Sequence, residues 1–374
     1  MDRILFVNLE GAIGGAETSL ILLVQLLRPR FELAVACPGL SPLAKRLTSD
    51  AIRVYDLPEP PSSSHLSPLW CPYWVETARR LVKLVRAVHP DLIHANNLWA
   101  GVISVPVTLA TNTRLVLHVR DLANLGLLSR LCSWFCQKVI AVSHAVREDL
   151  VRSGVRPDKI TVLHNAVDHG WVESLAGRTC QEPCRPRKNP FTFAHVGQFV
   201  PWKNHFLFLD AAACVAREVP DCRFTLVGDD VFHRDSRYRR DVLRHVARSP
   251  ISERITVAGW QEDMTRIWPH IDCLVHTAER EPFGRVIIEA MAYGIPVVAV
   301  NRGGPADIIR TGVNGILVAR GNVREISLAM LGIARDGRLA RSLGTAGREN
   351  VRAHFTTAQM MPRLLDVYQE VLSG

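Results

Sequence analysis

The sequence predicts an α/β protein made of two doubly wound, Rossmann-like domains, each built on a parallel sheet. Three observations carry that expectation. Short β-branched runs alternate with longer amphipathic stretches almost throughout, which is the pattern of βαβ units. A segment rich in proline and basic residues, with neither periodicity, interrupts the alternation near its middle. The length, 374 residues, suits two domains at about 150 residues each.

In the first half the strand candidates are Ile4–Asn8, Leu33–Cys37, Ile52–Tyr55, Leu92–Ala95, Leu115–His118, Val139–Val142 and Ile160–Leu163. Between them Glu17–Leu27, Thr77–Val88 and Ala145–Arg152 carry apolar residues at helical spacing. The opening run is too short for a signal peptide, because Asn8 and Glu10 end it. Pro58 to Trp74, rich in Pro and Ser and ending in Trp70, Tyr73 and Trp74, reads as a loop. The longest stretch free of formal charge, Leu92 to Thr113, is a poor membrane span. A spanning helix needs about 20 mostly apolar residues, and Asn96, Asn97, Pro106, Thr108 and Asn112 interrupt this one.

Residues 177–190, with Pro183, Pro186, Pro190, Arg178, Arg185, Arg187 and Lys188, form the expected linker. The strands after it are Phe191–Val196, Arg223–Val227, Ile255–Ala258, Cys273–His276 and Pro296–Val300, with helices near Phe206–Arg217, Tyr238–Ala247 and Arg285–Tyr293. Gln359–Leu372 has helical spacing and is expected to pack back toward the N-terminal domain. The expected division is therefore 1–176, a linker at 177–190, 191–355, and a C-terminal helix in 356–374. In such folds ligands bind at the carboxyl ends of the strands, here in the cleft expected between the two sheets.

Composition narrows the partners. With 48% hydrophobic residues and a mean hydropathy of +0.08, the chain is not disordered as a whole. A net charge of +9 suggests an anionic partner: nucleic acid, an acidic membrane surface or a phosphorylated substrate. Through residue 190 there are 22 basic and 16 acidic residues (22 − 16 = +6), and 23 against 20 after it (+3). No Lys/Arg-rich segment is interleaved with aromatics, which argues against nucleic acid. The nine scattered cysteines, with four-residue spacing at Cys132/Cys136 and Cys180/Cys184, read as thiols of a reducing compartment, not a zinc site. The expected location is cytoplasmic, with peripheral contact at the inner face of a membrane left open.

Two loops could carry chemistry. The first strand runs into Gly11-Ala12-Ile13-Gly14-Gly15-Ala16-Glu17, where glycines allow close backbone approach and a helix start offers N–H groups to an anion. It is not the G-x-G-x-x-G of dinucleotide enzymes, and a purely structural turn remains an equal reading. After Cys273–His276 comes Thr277-Ala278-Glu279-Arg280-Glu281-Pro282-Phe283-Gly284-Arg285-Val286-Ile287-Ile288-Glu289. Gly284 and the helix after it suit a phosphate. Glu281 and Glu289 there are hydroxyl acceptors for a sugar, or simply a charge–dipole partner and a solvated face.

The pattern Glu281-x-Phe283-Gly284 … Glu289-Ala290-Met291-Ala292-x-Gly294-x-Pro296 resembles the E-x7-E signature of retaining, nucleotide-sugar-dependent glycosyltransferases of family 4, which have the GT-B fold. Gly14-Gly15-Ala16-Glu17, His118, His164-Asn165-Ala166-Val167-Asp168, His195-Val196-Gly197-Gln198 … Lys203-Asn204 and Gly303-Gly304-Pro305-Ala306-Asp307 … Gly312-x-Asn314-Gly315 resemble further motifs of that family, in order. The resemblance implies that Glu289 binds the ribose, Glu281 the donor sugar and Lys203 the diphosphate. Gly14, Gly15, Gln198, Phe283, Gly284, Arg285 and Val286 would line the donor, and His118 would sit at the sugar. His118 is also at home as an ordinary strand-end histidine. Gln198 stands where the family usually has Arg, leaving Arg280 or Arg285 to compensate. With no D-x-D near a strand end in the first half, no metal and no cofactor are expected, and Asp229-Asp230 is left as a base contact or a turn cap. The implied partners are a nucleoside-diphosphate sugar and a glycan, lipid-linked or small-molecule acceptor. A non-catalytic or epimerase-type GT-B protein is the alternative. Trp99 and the Pro58–Trp74 segment suggest an aromatic acceptor wall or a membrane patch.

Overall fold

The structure is a computed structural model and describes residues 1–61, 70–122, 126–179, 190–319 and 321–374. The chain divides into two compact units, Met1–His164 with Met361–Gly374, and Asn165–Met360.

The first unit contains β1 (Arg3–Val7), α1 (Gly15–Leu27), β2 (Glu32–Pro38), α2 (Pro42–Ser49), β3 (Arg53–Leu57), α3 (Trp70–Val88), β4 (Leu92–Ala95), α4 (Leu98–Thr111), β5 (Arg114–Val119), α5 (Leu127–Phe135), β6 (Lys138–Ala141), α6 (His144–Arg152) and β7 (Ile160–Val162). The second holds α7 (His169–Thr179), β8 (Phe191–Val196), α8 (His205–Glu218), β9 (Cys222–Val227), α9 (Ser236–Arg248), β10 (Ile255–Gly259), β11 (Cys273–His276), α10 (Arg285–Ala292), β12 (Val297–Val300), α11 (Pro305–Ile308), β13 (Ile316–Val318), α12 (Val323–Arg335) and α13 (Gly337–His354). The last helix, α14 (Thr357–Ser373), starts in the second unit and from Met361 belongs to the first.

The first sheet has seven strands in the order β3-β2-β1-β4-β5-β6-β7, and the second has six, β10-β9-β8-β11-β12-β13. Every paired strand is parallel, for example Ile4 beside Leu33 on one side and Leu92 on the other. Parallel strands covered by helices are buried on both faces, which is why Ile4, Leu5, Phe6 and Val7 are all apolar and buried. Strand order reverses at β1/β4 and at β8/β11. Crevices at the carboxyl ends of such pairs are where doubly wound sheets bind ligands.

Several expectations change. Trp70, Tyr73 and Trp74 do not end a loop but lie in the first turns of α3; residues 62–69 of that segment lie outside the described residues. The charge-free stretch 92–113 is β4 followed by α4, whose N-terminus Asn97 caps by accepting the Ala100 N–H at 2.8 Å. Among the described residues no helix is long and apolar enough to cross a membrane. Residues 165–176 cluster with the second unit, not the first. The reason is local: Val167 exchanges backbone hydrogen bonds with Phe355 and Thr357, and Arg352 pairs with Glu173 at 2.7 Å. Of the expected linker, 177–179 close α7 and 180–189 lie outside the described residues.

Just after β9, Gly228 has φ of +133°, and a Cβ there would lie 1.9 Å from the carbonyl oxygen of Gly197, just after β8. Gly228→Ala is expected to lower unfolding free energy by about 2–4 kcal/mol, since strain and a backbone clash add; a urea midpoint equal to wild type would contradict that packing.

Candidate functional site

In the second unit the loop after β8 and the loop after β11 meet. Lys203 closes a short 3-10 turn, Pro201–Lys203, and its Nζ lies 2.5 Å from Glu281 Oε2. The same oxygen is 2.9 Å from His276 Nε2, at the end of β11. The Lys203 ammonium also sits 4.3 Å from the centroid of the Trp202 ring. Lys203, Glu281 and His276 are all buried. Burial alone would raise the Glu281 pKa, but the Lys203 charge and the His276 hydrogen bond together outweigh it, and it falls from 4.5 to about 2. Burial lowers the His276 pKa, and Glu281 only partly restores it.

Backbone contacts lock the two loops. Thr277 Oγ1 donates to the carbonyls of Lys203 and Asn204 at 3.0 and 2.9 Å, and Asn204 Nδ2 reaches Glu279 at 3.0 Å. The Gly304 N–H donates to the Glu281 carbonyl at 2.9 Å, and a Cβ on Gly304 would lie 2.2 Å from Phe283 Cα, so the 303–304 backbone presses directly on the Glu281–Gly284 turn. Gly284, at φ of +102°, then turns the chain into α10, with Arg285 and Val286 in its first turn. Arg285 Nη2 and Glu289 Oε1 are 3.0 Å apart on successive turns, both half-buried. Lys203 and Glu281 thus come together, a pairing the sequence did not suggest, and Arg285 and Glu289 form a second pair. Gln198 is half-buried on the β8 loop and Arg280 is exposed. Asp230 accepts from the Arg234 and Asp235 N–H groups at 3.1 and 3.0 Å, capping a turn, while Asp229 pairs with Arg239.

The first unit has its own polar cluster at its switch point. Asn8, just after β1, receives a 2.9 Å bond from Asn96, just after β4. Asn96 accepts in turn from Arg120 Nε at 2.9 Å. His118, on β5, is buried; its Nδ1 lies 3.3 Å from both Arg120 Nη2 and His94 Nε2, and its Nε2 has no hydrogen-bond partner among the described residues. Burial, with the positive Arg120 beside it, holds the His118 pKa well below the ordinary value. In the glycine loop, Gly14 differs from expectation: its N–H is already taken by the buried Glu17 carboxyl at 3.0 Å. Burial raises the Glu17 pKa to about 7. Gly15 opens α1. Trp74 on α3 and Trp99 on α4 approach to 5.6 Å between ring centroids.

Sequence reasoning did not single out His276, Thr277, Asn8, Asn96, Arg120 or His94. A signal was present for several of them: Asn8, Asn96, His276 and Thr277 are polar residues ending or just following strands that flank a reversal of strand order.

Known proteins fit this geometry. Residues 181–350 match the family described as glycosyl transferases group 1, and residues 13–171 match Glycosyltransferase Family 4. Each model covers one half of the chain, and together they support a family 4-like glycosyltransferase. The chain is 23% identical to N-acetyl-alpha-D-glucosaminyl L-malate synthase of Bacillus anthracis over 80% of each chain. It is 21% identical to the Escherichia coli UDP-Gal:alpha-D-GlcNAc-diphosphoundecaprenol alpha-1,3-galactosyltransferase, over 92% of this chain and 90% of the relative. Among solved structures, Anabaena Alr3699/HepE in complex with UDP-glucose superposes with a TM-score of 0.83 at 25% identity, covering 98% of this chain and 99% of that one. The GT-B fold expected from the sequence is thereby shown.

The buried ion pair makes a stability prediction. Glu281 favours folding above pH about 4.5, and that contribution, about 3 kcal/mol from the size of the shift, is lost as pH falls toward 2. Lys203→Met strands the carboxylate and is expected to cost about 3–5 kcal/mol at pH 7. Lys203→Met with Glu281→Gln should recover much of it, as read by urea unfolding. Equal losses in the single and double variants would show that charge pairing is not what holds this turn.

Proposed function

We propose that the protein transfers a hexosyl unit from a nucleoside-diphosphate sugar to an acceptor hydroxyl, with retention, in glycan, glycolipid or polysaccharide biosynthesis. The observation that carries this reading is a buried lysine, Lys203, paired with Glu281, whose carboxylate also meets His276, on the turn that leads into the N-terminus of α10. A lysine beside a helix N-terminus is suited to a diphosphate.

In this reading Lys203 and the first amides of α10 hold the diphosphate, and Gln198 adds a neutral donor. Glu289 accepts from the ribose hydroxyls, oriented by Arg285. Glu281 both sustains the Lys203 charge and faces the sugar. The C1–O bond to the β-phosphate breaks with its electron pair leaving on the phosphate oxygen. The acceptor oxygen bonds to C1 on the same face, and its proton passes to that departing oxygen. Charge developing on the leaving group is met by Lys203, so the step draws on no resident metal or cofactor. The likeness to a protein solved with UDP-glucose makes uridine donors the first to test.

On the acceptor side, Trp74 and Trp99 supply an aromatic surface of the kind that suits a sugar face. We also read the first unit as touching an anionic membrane surface. Leu127, Leu131, Trp134 and Phe135 are exposed along one face of α5, Arg130 lies 5.5 Å over the Trp134 ring, and no acidic residue occurs between Asp121 and Glu148.

Glu289→Ala is expected to reduce turnover at least about tenfold, the worth of one charged hydrogen bond, without changing the unfolding midpoint. Release of nucleoside diphosphate with acceptor present checks it; wild-type turnover would remove Glu289 from the site, and a sugar product formed without acceptor would mark an epimerase. Co-sedimentation with phosphatidylglycerol-containing vesicles should fall with salt and fall again in Leu131→Glu with Trp134→Glu. Binding indifferent to salt and lipid charge would count against the membrane contact.

A further inference from the structure

The first unit contains a buried polar chain that the transfer reading leaves unused. It runs from the C-terminal helix into the sheet. Tyr368 Oη on α14 lies 2.7 Å from His94 Nδ1, His94 Nε2 lies 3.3 Å from His118 Nδ1, and Arg120 Nη2 lies 3.3 Å from the same His118 nitrogen. Tyr368 and His94 are fully buried and His118 nearly so. Phe31 meets the Tyr368 ring edge-on, with centroids 5.8 Å apart, and steadies it.

Donor and acceptor capacities fix the protons. A guanidinium only donates, so His118 Nδ1 accepts and carries no hydrogen. His94 Nε2, facing that lone pair, must then be the N–H that points at it. His94 is neutral, because burial drops its pKa to about 3, so its Nδ1 accepts from the Tyr368 hydroxyl. The remaining proton of His118 lies on Nε2, which is buried and has no partner among the described residues. An unpaired buried donor is costly unless something binds it.

We propose that Tyr368 is a positioning residue that, through His94, holds His118 as its Nε2–H tautomer, so that His118 presents a hydrogen-bond donor to an oxygen of the bound sugar and does not act as a base. The link from Tyr368 to His118 stands on the first unit alone; only its bearing on turnover rests on the glycosyl-transfer reading. The tautomer matters because the alternative, with the proton on Nδ1, would set an N–H against Arg120 and His94 and offer the sugar a lone pair.

Nitrogen-15 NMR of histidine-labelled protein tests this without substrate, with His118 assigned by the signal lost in His118→Gln. The expected wild-type spectrum at pH 7 shows His118 and His94 neutral and wholly Nε2–H. In Tyr368→Phe, His94 loses the donor at Nδ1, and both rings should move toward mixed tautomers. Turnover should fall about five- to tenfold, the worth of one hydrogen bond, with donor KM unchanged. Should Tyr368→Phe fold poorly, His94→Gln replaces it. A glutamine amide donates toward His118 and accepts from Tyr368, so it should keep the His118 tautomer and recover most of the turnover lost in His94→Leu. His118 found as Nδ1–H or imidazolium, or His94 and His118 signals unmoved by Tyr368→Phe, would overturn the proposal. Shifted tautomers with unchanged turnover would overturn the positioning role. Tautomers as stated in a protein that transfers no sugar from any donor would leave the Tyr368–His94–His118 link standing and sink the transfer reading instead.

Discussion

Burying a lysine costs far less where a carboxylate stands against it, and the second unit is organised to supply one. Lys203 arrives on the loop after β8 and Glu281 on the loop after β11, so the pair can form only because those strands are neighbours while their sequence positions are far apart. Gly304 must be a glycine for the segment after β12 to lie against the Glu281 turn, and Thr277 ties that turn to the carbonyls around Lys203. The strong local field is balanced within the unit before any ligand arrives, and this is what makes the site preorganised rather than assembled on binding.

The first unit solves its own switch point differently. There the buried groups are mostly neutral: two asparagines, two histidines and a tyrosine, with Arg120 the one cation in the chain of contacts. Neutral hydrogen bonds provide direction without a strong field. An ion pair suits the handling of phosphate, whereas directed donors and acceptors suit hydroxyl groups.

The sheets were legible because parallel strands buried on both faces leave apolar runs, with β3 legible despite Arg53 and Asp56. Glu281 was legible beside Gly284 after a strand end, whereas Lys203 was reached only through the family resemblance of its loop. The α3 start was missed because aromatic residues following a segment rich in proline and serine read as the end of a loop. The unit boundary was missed because it depends on Val167 joining Phe355 and Thr357, a pairing across almost two hundred residues that no local pattern encodes. His94 and Tyr368 escaped for the same reason. A histidine within a buried strand and a tyrosine on an amphipathic helix each look like ordinary core residues until the fold brings them together.

The crossing of α14 from one unit to the other has a consequence for how the chain is made. The first seven strands emerge early from the ribosome, yet the unit they form lacks Tyr368 until α14, which follows the whole second unit, has been translated. Until then His94 has a buried nitrogen without its hydroxyl partner, and Lys138 lacks Glu370. Synthesis from the N-terminus therefore delivers the second unit in full before the first is complete, reversing the usual N-terminal-first order of domain folding. A fragment ending at His164 is an unfinished domain, and a chain without α14 would leave His94 and Lys138 of its opening half without these partners.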